Sequence, residues 1–159
     1  MELRSTLYIK LGNTEQQSAL FTMLKDGEIY SAVLKELVGD NNAQHVDVLF
    51  EQVEDDAFYI EQPSKESGYI VAEMVARNGS EASLPPLVDF FYNVYSECDV
   101  RIKGAGEESY MVFIRRDEGA TQMRVWEEGD PEELMENQQW FNEGLPPELQ
   151  SEDIDFDFF

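Results

Sequence analysis

A chain of 159 residues with 42% hydrophobic residues is long enough for one folded domain with a sizeable core. Its 34 acidic and 11 basic residues give a formal net charge of −23, which disfavours non-specific binding to nucleic-acid phosphates and favours a basic protein as partner. The alternative is that the negative charge only keeps the protein in solution and binds no particular partner. The single cysteine excludes an intramolecular disulfide, and no apolar run approaches the ~18 residues of a membrane span, so we expect a cytoplasmic protein that does not contact a membrane.

The first 40 residues predict a strand followed by two helices. Apolar residues alternate over Leu3–Leu11, the period of a strand, and Gly12-Asn13 ends the run. The sequence Thr14-Glu15-Gln16-Gln17 fits a helix capping box. A second helix is expected over residues 29–37, where apolar side chains recur at helical spacing, with Gly39 as its C-terminal cap.

Three strands and a helix are predicted next. The alternation of Val46, Val48 and Phe50 with polar residues predicts a strand. Two more strands are expected at residues 57–61 and at Tyr69–Ala76, separated by a loop over residues 63–68. Prolines in the first turn then predict a helix that starts at Leu84 and carries apolar residues up to Tyr95.

The last third predicts three short strands and one well-capped helix. Glycine-containing turns separate strands at residues 99–104, 109–116 and 120–126. Asp130 and Pro131 are favourable at a helix start, so a helix is expected over Pro131–Asn142, ended by Gly144. The whole pattern predicts a single α+β domain over residues 1–150, with a mixed or antiparallel sheet and three to four helices in the approximate order β-αα-βββ-α-βββ-α. Residues 151–159 form an acidic-aromatic C-terminal tail.

The candidate partner-binding site is the acidic end of the chain. No Lys or Arg follows Arg124, whereas twelve Asp or Glu do. Fixed carboxylates there would replace phosphates in the groove of a basic partner, giving fast, salt-sensitive association. The predicted residues are Glu127, Glu128, Asp130, Glu132, Glu133, Glu136, Asp153, Ile154, Asp155, Phe156, Asp157, Phe158 and Phe159.

The tail alternates acids with large apolar side chains, so an extended conformation would separate the two kinds completely. It resembles the acidic C-terminal tip of bacterial and phage single-stranded-DNA-binding proteins, in which a terminal Phe recruits replication and repair partners. The resemblance covers Ser151 to Phe159 only, and Phe158 stands where the bacterial tip has Pro. Docking of the tail on its own domain and a frayed, solubilising terminus are the alternatives.

The strands over residues 99–126 suggest a second kind of site, because this segment has no net charge in an otherwise acidic chain. Should its cations and aromatic side chain meet on one face, they would suit single-stranded nucleic acid or cradle the acidic tail. Strand register decides whether they meet, and ordinary solvated faces are the alternative. The residues concerned are Arg101, Lys103, Arg115, Arg116, Arg124 and Trp126.

Catalysis and metal binding find little support in the sequence. Asp153, Asp155 and Asp157 match the first three ligand positions of a calcium loop, but the chain ends before the remaining ligands. His45 is the only histidine, and its pairing with Cys98 as base and nucleophile has no support from spacing. We therefore expect no catalytic residues, no metal and no cofactor.

The leading hypothesis is a non-enzymatic binding protein that blocks a basic, nucleic-acid-handling partner. DNA-mimic inhibitors, anti-restriction proteins and immunity proteins of nuclease toxins resemble this chain in composition, since they too are small, acidic and poor in motifs. The alternatives are a single-stranded nucleic-acid-binding protein with a partner-recruiting tip, and an adaptor or orphan domain whose acidity only solubilises it.

Overall fold

Seven strands and five α-helices make up the described part of a computed structural model, which covers residues 3–53, 57–76, 81–106 and 109–150. The strands are β1 Leu3–Leu11, β2 Glu28–Tyr30, β3 Ala57–Glu66, β4 Tyr69–Ala76, β5 Cys98–Gly106, β6 Tyr110–Asp117 and β7 Ala120–Glu127. The helices are α1 Thr14–Leu24, α2 Ser31–Val38, α3 Ala43–Gln52, α4 Leu84–Val94 and α5 Pro131–Asn142. The predicted tail at 151–159 lies outside the described residues.

All seven strands join one sheet in the order β2-β3-β4-β1-β5-β6-β7, and each described pairing is antiparallel. The α+β class is therefore confirmed, with an antiparallel sheet. The expected three to four helices are corrected to five. Within the described residues, no helix is both long enough and apolar enough to cross a bilayer.

Helices cover both faces of the sheet. Because side chains alternate along a strand, Leu7 of β1 points to one face and its neighbour Tyr8 to the other. Leu7 belongs to the larger core cluster, which α1 to α4 complete with residues such as Phe91. Tyr8 belongs to a smaller cluster on what we call the second face, where α5 contributes Trp140 and Phe141.

Several predicted elements are confirmed. β1, β4 and α5 have the predicted bounds, and each end of β5, β6 and β7 lies within two residues of its predicted position. Gly39 caps α2 with a φ of 84°, a conformation that favours glycine. The cap of α1 is a small correction, since Asn13 rather than Thr14 accepts the hydrogen bond from the Gln16 amide.

The strand predicted around Val46 and Phe50 is wrong, because these residues belong to α3. Val46 and Leu49 are buried three residues apart on one side of this helix, whereas Val48 is 48% exposed. Burial therefore follows the helical period and not the period of two. The alternation of Val46, Val48 and Phe50 fits a strand, but Val46 and Phe50 are also spaced to share one side of a helix. The packing of α3 against α2 and α4 favours the helix.

Two further boundaries differ from the prediction. Ile29 lies in β2 and not in a helix, because it pairs with Phe58 of β3 after Gly27 turns the chain at a φ of 88°. The loop expected at residues 63–68 is mostly strand, since β3 continues to Glu66 after a register shift between Glu61 and Ser64. The bulge lets Pro63 lie within the strand.

Candidate functional site

Six of the carboxylates predicted for partner binding lie at the end of β7 and in the first turns of α5, and all six side chains are exposed. We call them the acidic surface: Glu127, Glu128, Asp130, Glu132, Glu133 and Glu136. The tail residues predicted with them, Asp153 to Phe159, lie outside the described residues.

The acidic surface is a consequence of how α5 divides its two sides. Glu136 follows Glu132 by four residues and Glu133 by three, so these three carboxylates share one side of the helix. The other side buries Leu134 and Phe141 against the second face. Like charges at these spacings repel one another, so contacts elsewhere must hold α5 in place.

The N-terminal end of α5 is held by its own cap and by β7. The Asp130 carboxylate accepts a hydrogen bond from the Glu132 amide at 2.9 Å, and Pro131 occupies the first turn. Trp126 Nε1 donates to the Asp130 carbonyl at 3.1 Å, which fixes the connection between β7 and α5. Acids in the first turn also favour the positive end of the helix dipole.

Two arginines from the sheet hold the C-terminal end of α5. Arg101 of β5 donates to the Phe141 carbonyl at 2.5 Å, and Arg115 of β6 donates to the Trp140 carbonyl at 2.6 Å. The last carbonyls of a helix have no partner within the helix and form the negative end of its dipole. The guanidinium groups therefore serve as C-terminal caps supplied by the sheet.

Arg101 is itself fixed by a buried network. Only 6% of this residue is exposed, and its guanidinium donates to both carboxylate oxygens of Asp99, at 2.9 and 3.1 Å. The Tyr69 hydroxyl donates to the same carboxylate at 2.5 Å. Burial raises the pKa of Tyr69, and the hydrogen bond to Asp99 raises it further. The network thus connects β4, β5 and the end of α5.

The aromatic rings of α5 contact the other cations of the second face. The Arg124 guanidinium lies 4.3 Å from the Trp140 ring centroid and that of Arg115 lies 5.3 Å away, while Lys103 Nζ lies 5.8 Å from the Phe141 centroid. Trp140 Nε1 also donates to Asp117 at 2.9 Å, and this hydrogen bond lowers the pKa of the Asp117 carboxyl. Cation–ring contacts of this kind are strongest when water is excluded.

Burial lowers the pKa of Lys103 below 10.5, which makes its charge a cost to folding at neutral pH. The unfolded state binds the proton more tightly, so the stability contributed at this site rises as pH increases toward 10.5. We expect Lys103→Met to be more stable than the wild type near pH 7, with a difference that shrinks by about pH 10. Urea unfolding at both pH values measures the difference in the free energy of unfolding.

The control is Lys25→Met, which replaces an exposed lysine. Its free energy of unfolding should stay within about 0.5 kcal/mol of the wild type. A stability difference between Lys103→Met and the wild type that grows with pH would contradict a lowered pKa of Lys103.

The structure brings together five of the six residues predicted as an alternative nucleic-acid site. Arg101, Lys103, Arg115, Arg124 and Trp126 all lie on the second face, where α5 packs over them. Arg116 points to the opposite face, with its guanidinium 4.8 Å from the Tyr92 ring centroid and 3.8 Å from the Asp89 carboxylate. The cations and aromatic rings do meet, but α5 occupies the surface that they form.

Contacts with other groups of the same chain recur among the described basic residues, both at the surface and beneath α5. Nine basic residues of the described part of the chain lie against a carboxylate, a ring or a helix carbonyl. They are Lys10, Lys25, Lys35, Lys65, Arg101, Lys103, Arg115, Arg116 and Arg124. The acidic surface is thus exposed, whereas the arginines beneath α5 contact its carbonyls and rings.

Sequence reasoning missed one feature, a groove of about 580 Å³ that runs beside α5. Leu134 and Met135 supply apolar lining, and Asn142 and Gln150 lie at its other end. Met135 is 61% exposed, an unusual fraction for a large apolar side chain. A methionine among the glutamates of a capped helix was the only signal of this groove in the sequence.

The described residues contain no group of three or more His, Cys, Asp or Glu that could hold a metal ion. The calcium-like spacing of Asp153, Asp155 and Asp157 lies outside them. Burial raises the pKa of Cys98 to about 11, and its thiol contacts the Phe91 carbonyl at 3.8 Å. Activated cysteines have a lowered pKa, so this environment does not favour a nucleophile at Cys98.

Comparison with protein-family models, with curated proteins and with solved structures finds no match to this chain.

Proposed function

We propose that this protein is a non-enzymatic acidic inhibitor, of the DNA-mimic, anti-restriction or nuclease-immunity type, that occupies a basic nucleic-acid-handling partner. The observation that supports it is the separation of charge at α5. Six carboxylates point to solvent over residues 127–136, whereas the arginines beneath the helix bind its carbonyls and rings. A cationic groove approaching this side of the molecule meets fixed negative charge with little competing positive charge.

The spacing of the carboxylates suits this role. Glu132 and Glu136 are separated by about 6 Å along the helix axis, because an α-helix rises 1.5 Å per residue. A row of negative charges at intervals of several ångströms is also the character of a phosphate backbone. Contacts at both ends of α5 hold the carboxylates in position before the partner arrives, which reduces the ordering cost of binding.

Affinity capture followed by competition tests this function. The full-length protein is immobilised and used to capture proteins from a native lysate at about 0.05 M and about 1 M salt. We expect a nucleic-acid-binding protein that is recovered only at low salt, and we expect DNA and this protein to displace each other from the purified partner. A captured protein that binds both at once would contradict the mimic mechanism, as would recovery that does not change with salt.

The same experiment separates the alternatives. A solubilising surface predicts that no particular protein is captured at either salt concentration. The single-stranded nucleic-acid-binding alternative predicts direct binding of an unstructured oligonucleotide by the protein alone. That alternative gains no support from the geometry, because α5 covers Arg101, Lys103, Arg115 and Arg124.

A further inference from the structure

The groove beside α5 is lined partly by apolar side chains, and no other described element fills it. Its lining includes Pro131, Leu134 and Met135, and Met135 is the most exposed large apolar side chain of the described residues. An exposed methionine on an otherwise charged helix costs solubility unless something covers it. The groove therefore has the character of a docking site.

One residue that lines the groove also has a buried polar atom without a partner among the described residues. Asn142 is only 7% exposed, and its Oδ1 accepts no hydrogen bond among the described residues. Buried acceptors are nearly always paired, because leaving one unpaired after removal from water is unfavourable. An occupant that brings an N–H donor, such as an extended backbone, would satisfy it once the Asn142 amide turns toward the groove.

The described chain ends at this groove. Gln150 lines it, and its Nε2 donates to the Leu145 carbonyl at 2.7 Å and to the Asn142 carbonyl at 3.3 Å. The nine residues that follow can span up to about 30 Å when extended. α5, with its twelve residues, is about 18 Å long, so the segment is long enough to follow the helix over its full length.

We propose that the C-terminal segment 151–159 of the same chain docks in the groove of α5 and covers it in the free protein. In an extended segment Ile154, Phe156 and Phe158 share one side and the aspartates share the other. The apolar side enters the groove, and the carboxylates remain in water. The inference does not rest on the proposed function, because it concerns the protein without a partner.

Charge gives this docking a distinctive dependence on salt. The groove is lined by Glu143 and by no basic residue, and the acidic surface lies on the same helix. Repulsion between these groups and the aspartates of the segment opposes docking, and salt screens it, since the Debye length falls from about 10 Å at 0.1 M to about 3 Å at 1 M. Docking of the segment therefore strengthens with salt, whereas binding of a basic partner weakens.

The methyl resonance of Met135 tests the proposal in the full-length chain. In protein labelled with ¹³C at the methionine methyl groups, a Phe ring placed against Met135 shifts its resonance. We expect the paired substitution Phe156→Ser and Phe158→Ser to remove this shift, because losing both rings lowers the docked-to-undocked ratio on the order of a hundredfold. Met123, which is 40% exposed on β7 and outside the groove, is the internal reference and stays unchanged.

A matched variant changes the other side of the segment. Asp155→Ser with Asp157→Ser keeps the rings and removes two negative charges, so it moves the Met135 resonance in the same direction as added salt. A Met135 resonance that is the same in all three proteins would overturn the proposal. A Met135 shift that grows with protein concentration would overturn it as well, and would assign the groove to the segment of a second copy.

Discussion

Replacing Arg101 with methionine is expected to destabilise the protein by about 3 kcal/mol, because the side chain is buried and removal of one member of a buried ion pair leaves the other uncompensated. Asp99 loses both of its guanidinium hydrogen bonds, and the Phe141 carbonyl loses its donor at the end of α5. Methionine keeps much of the apolar stem, so the effect measures the charge and the hydrogen bonds. Urea unfolding monitored by circular dichroism gives the change in free energy.

The matched control is Arg116→Met, which removes an arginine of the same sheet from the opposite face. Its guanidinium is 3.8 Å from the half-exposed Asp89 carboxylate, and such pairs contribute at most about 1 kcal/mol. The double variant Asp99→Asn with Arg101→Met should be less destabilised than the sum of the two single variants, since the pair acts as a unit. Equal effects for Arg101→Met and Arg116→Met would show that the Arg101 network does not hold α5.

Neutralising the acidic surface is expected to slow association with the partner on the order of tenfold to a hundredfold. The variant changes Glu127, Glu128, Glu132, Glu133 and Glu136 to Gln and retains Asp130, because its carboxylate caps α5. Removing like charges from one side of the helix relieves repulsion, whereas neutralising Glu132 and Glu133 weakens their interaction with the helix dipole. These two effects oppose each other and each is at most about 1 kcal/mol, so the stability of this variant should stay close to that of the wild type. A loss of binding can then be attributed to charge and not to unfolding.

The control for this variant has the same net charge but a different distribution. It changes five exposed glutamates elsewhere to Gln: Glu15, Glu28, Glu36, Glu51 and Glu61. Association of the captured partner with wild type and with both variants is measured by rapid mixing at several salt concentrations. If both variants slow association equally, overall charge alone drives binding, and the assignment of the site to α5 is wrong.

Elements of the fold could be predicted from the sequence where the pattern of residues fits only one type of secondary structure. β1 and β4 alternate over eight or nine residues, and α5 has Asp130 and Pro131 at its start, so each was predicted with its observed bounds. The residues around Val46 fit two periods over a short run, and the prediction of a strand was wrong there. Ile29 joined β2 because a pairing with Phe58, distant in sequence, outweighed local helical spacing.

The candidate site shows the same division. The exposed carboxylates of α5 could be predicted, because their positions at a capped helix start follow from local sequence. Four cations converge because of the register between β1, β5, β6 and β7: Arg101, Lys103, Arg115 and Arg124. Their coverage by α5 depended on the packing of elements that are distant in sequence. The groove beside Met135 also depended on how the chain after α5 turns back toward Asn142.

The sequence by itself determined that this protein carries a large excess of negative charge, an α+β pattern and a capped acidic helix near its end, since composition, periodicity and caps are local properties. Only the tertiary structure decided the role of the basic residues. Strand register brings the arginines of β5, β6 and β7 to one face, and the carbonyls and rings of α5 engage them there. A cation in a strand can face solvent or a helix with the same local sequence. The packing of α5 made these cations its supports and left the carboxylates as the accessible charge.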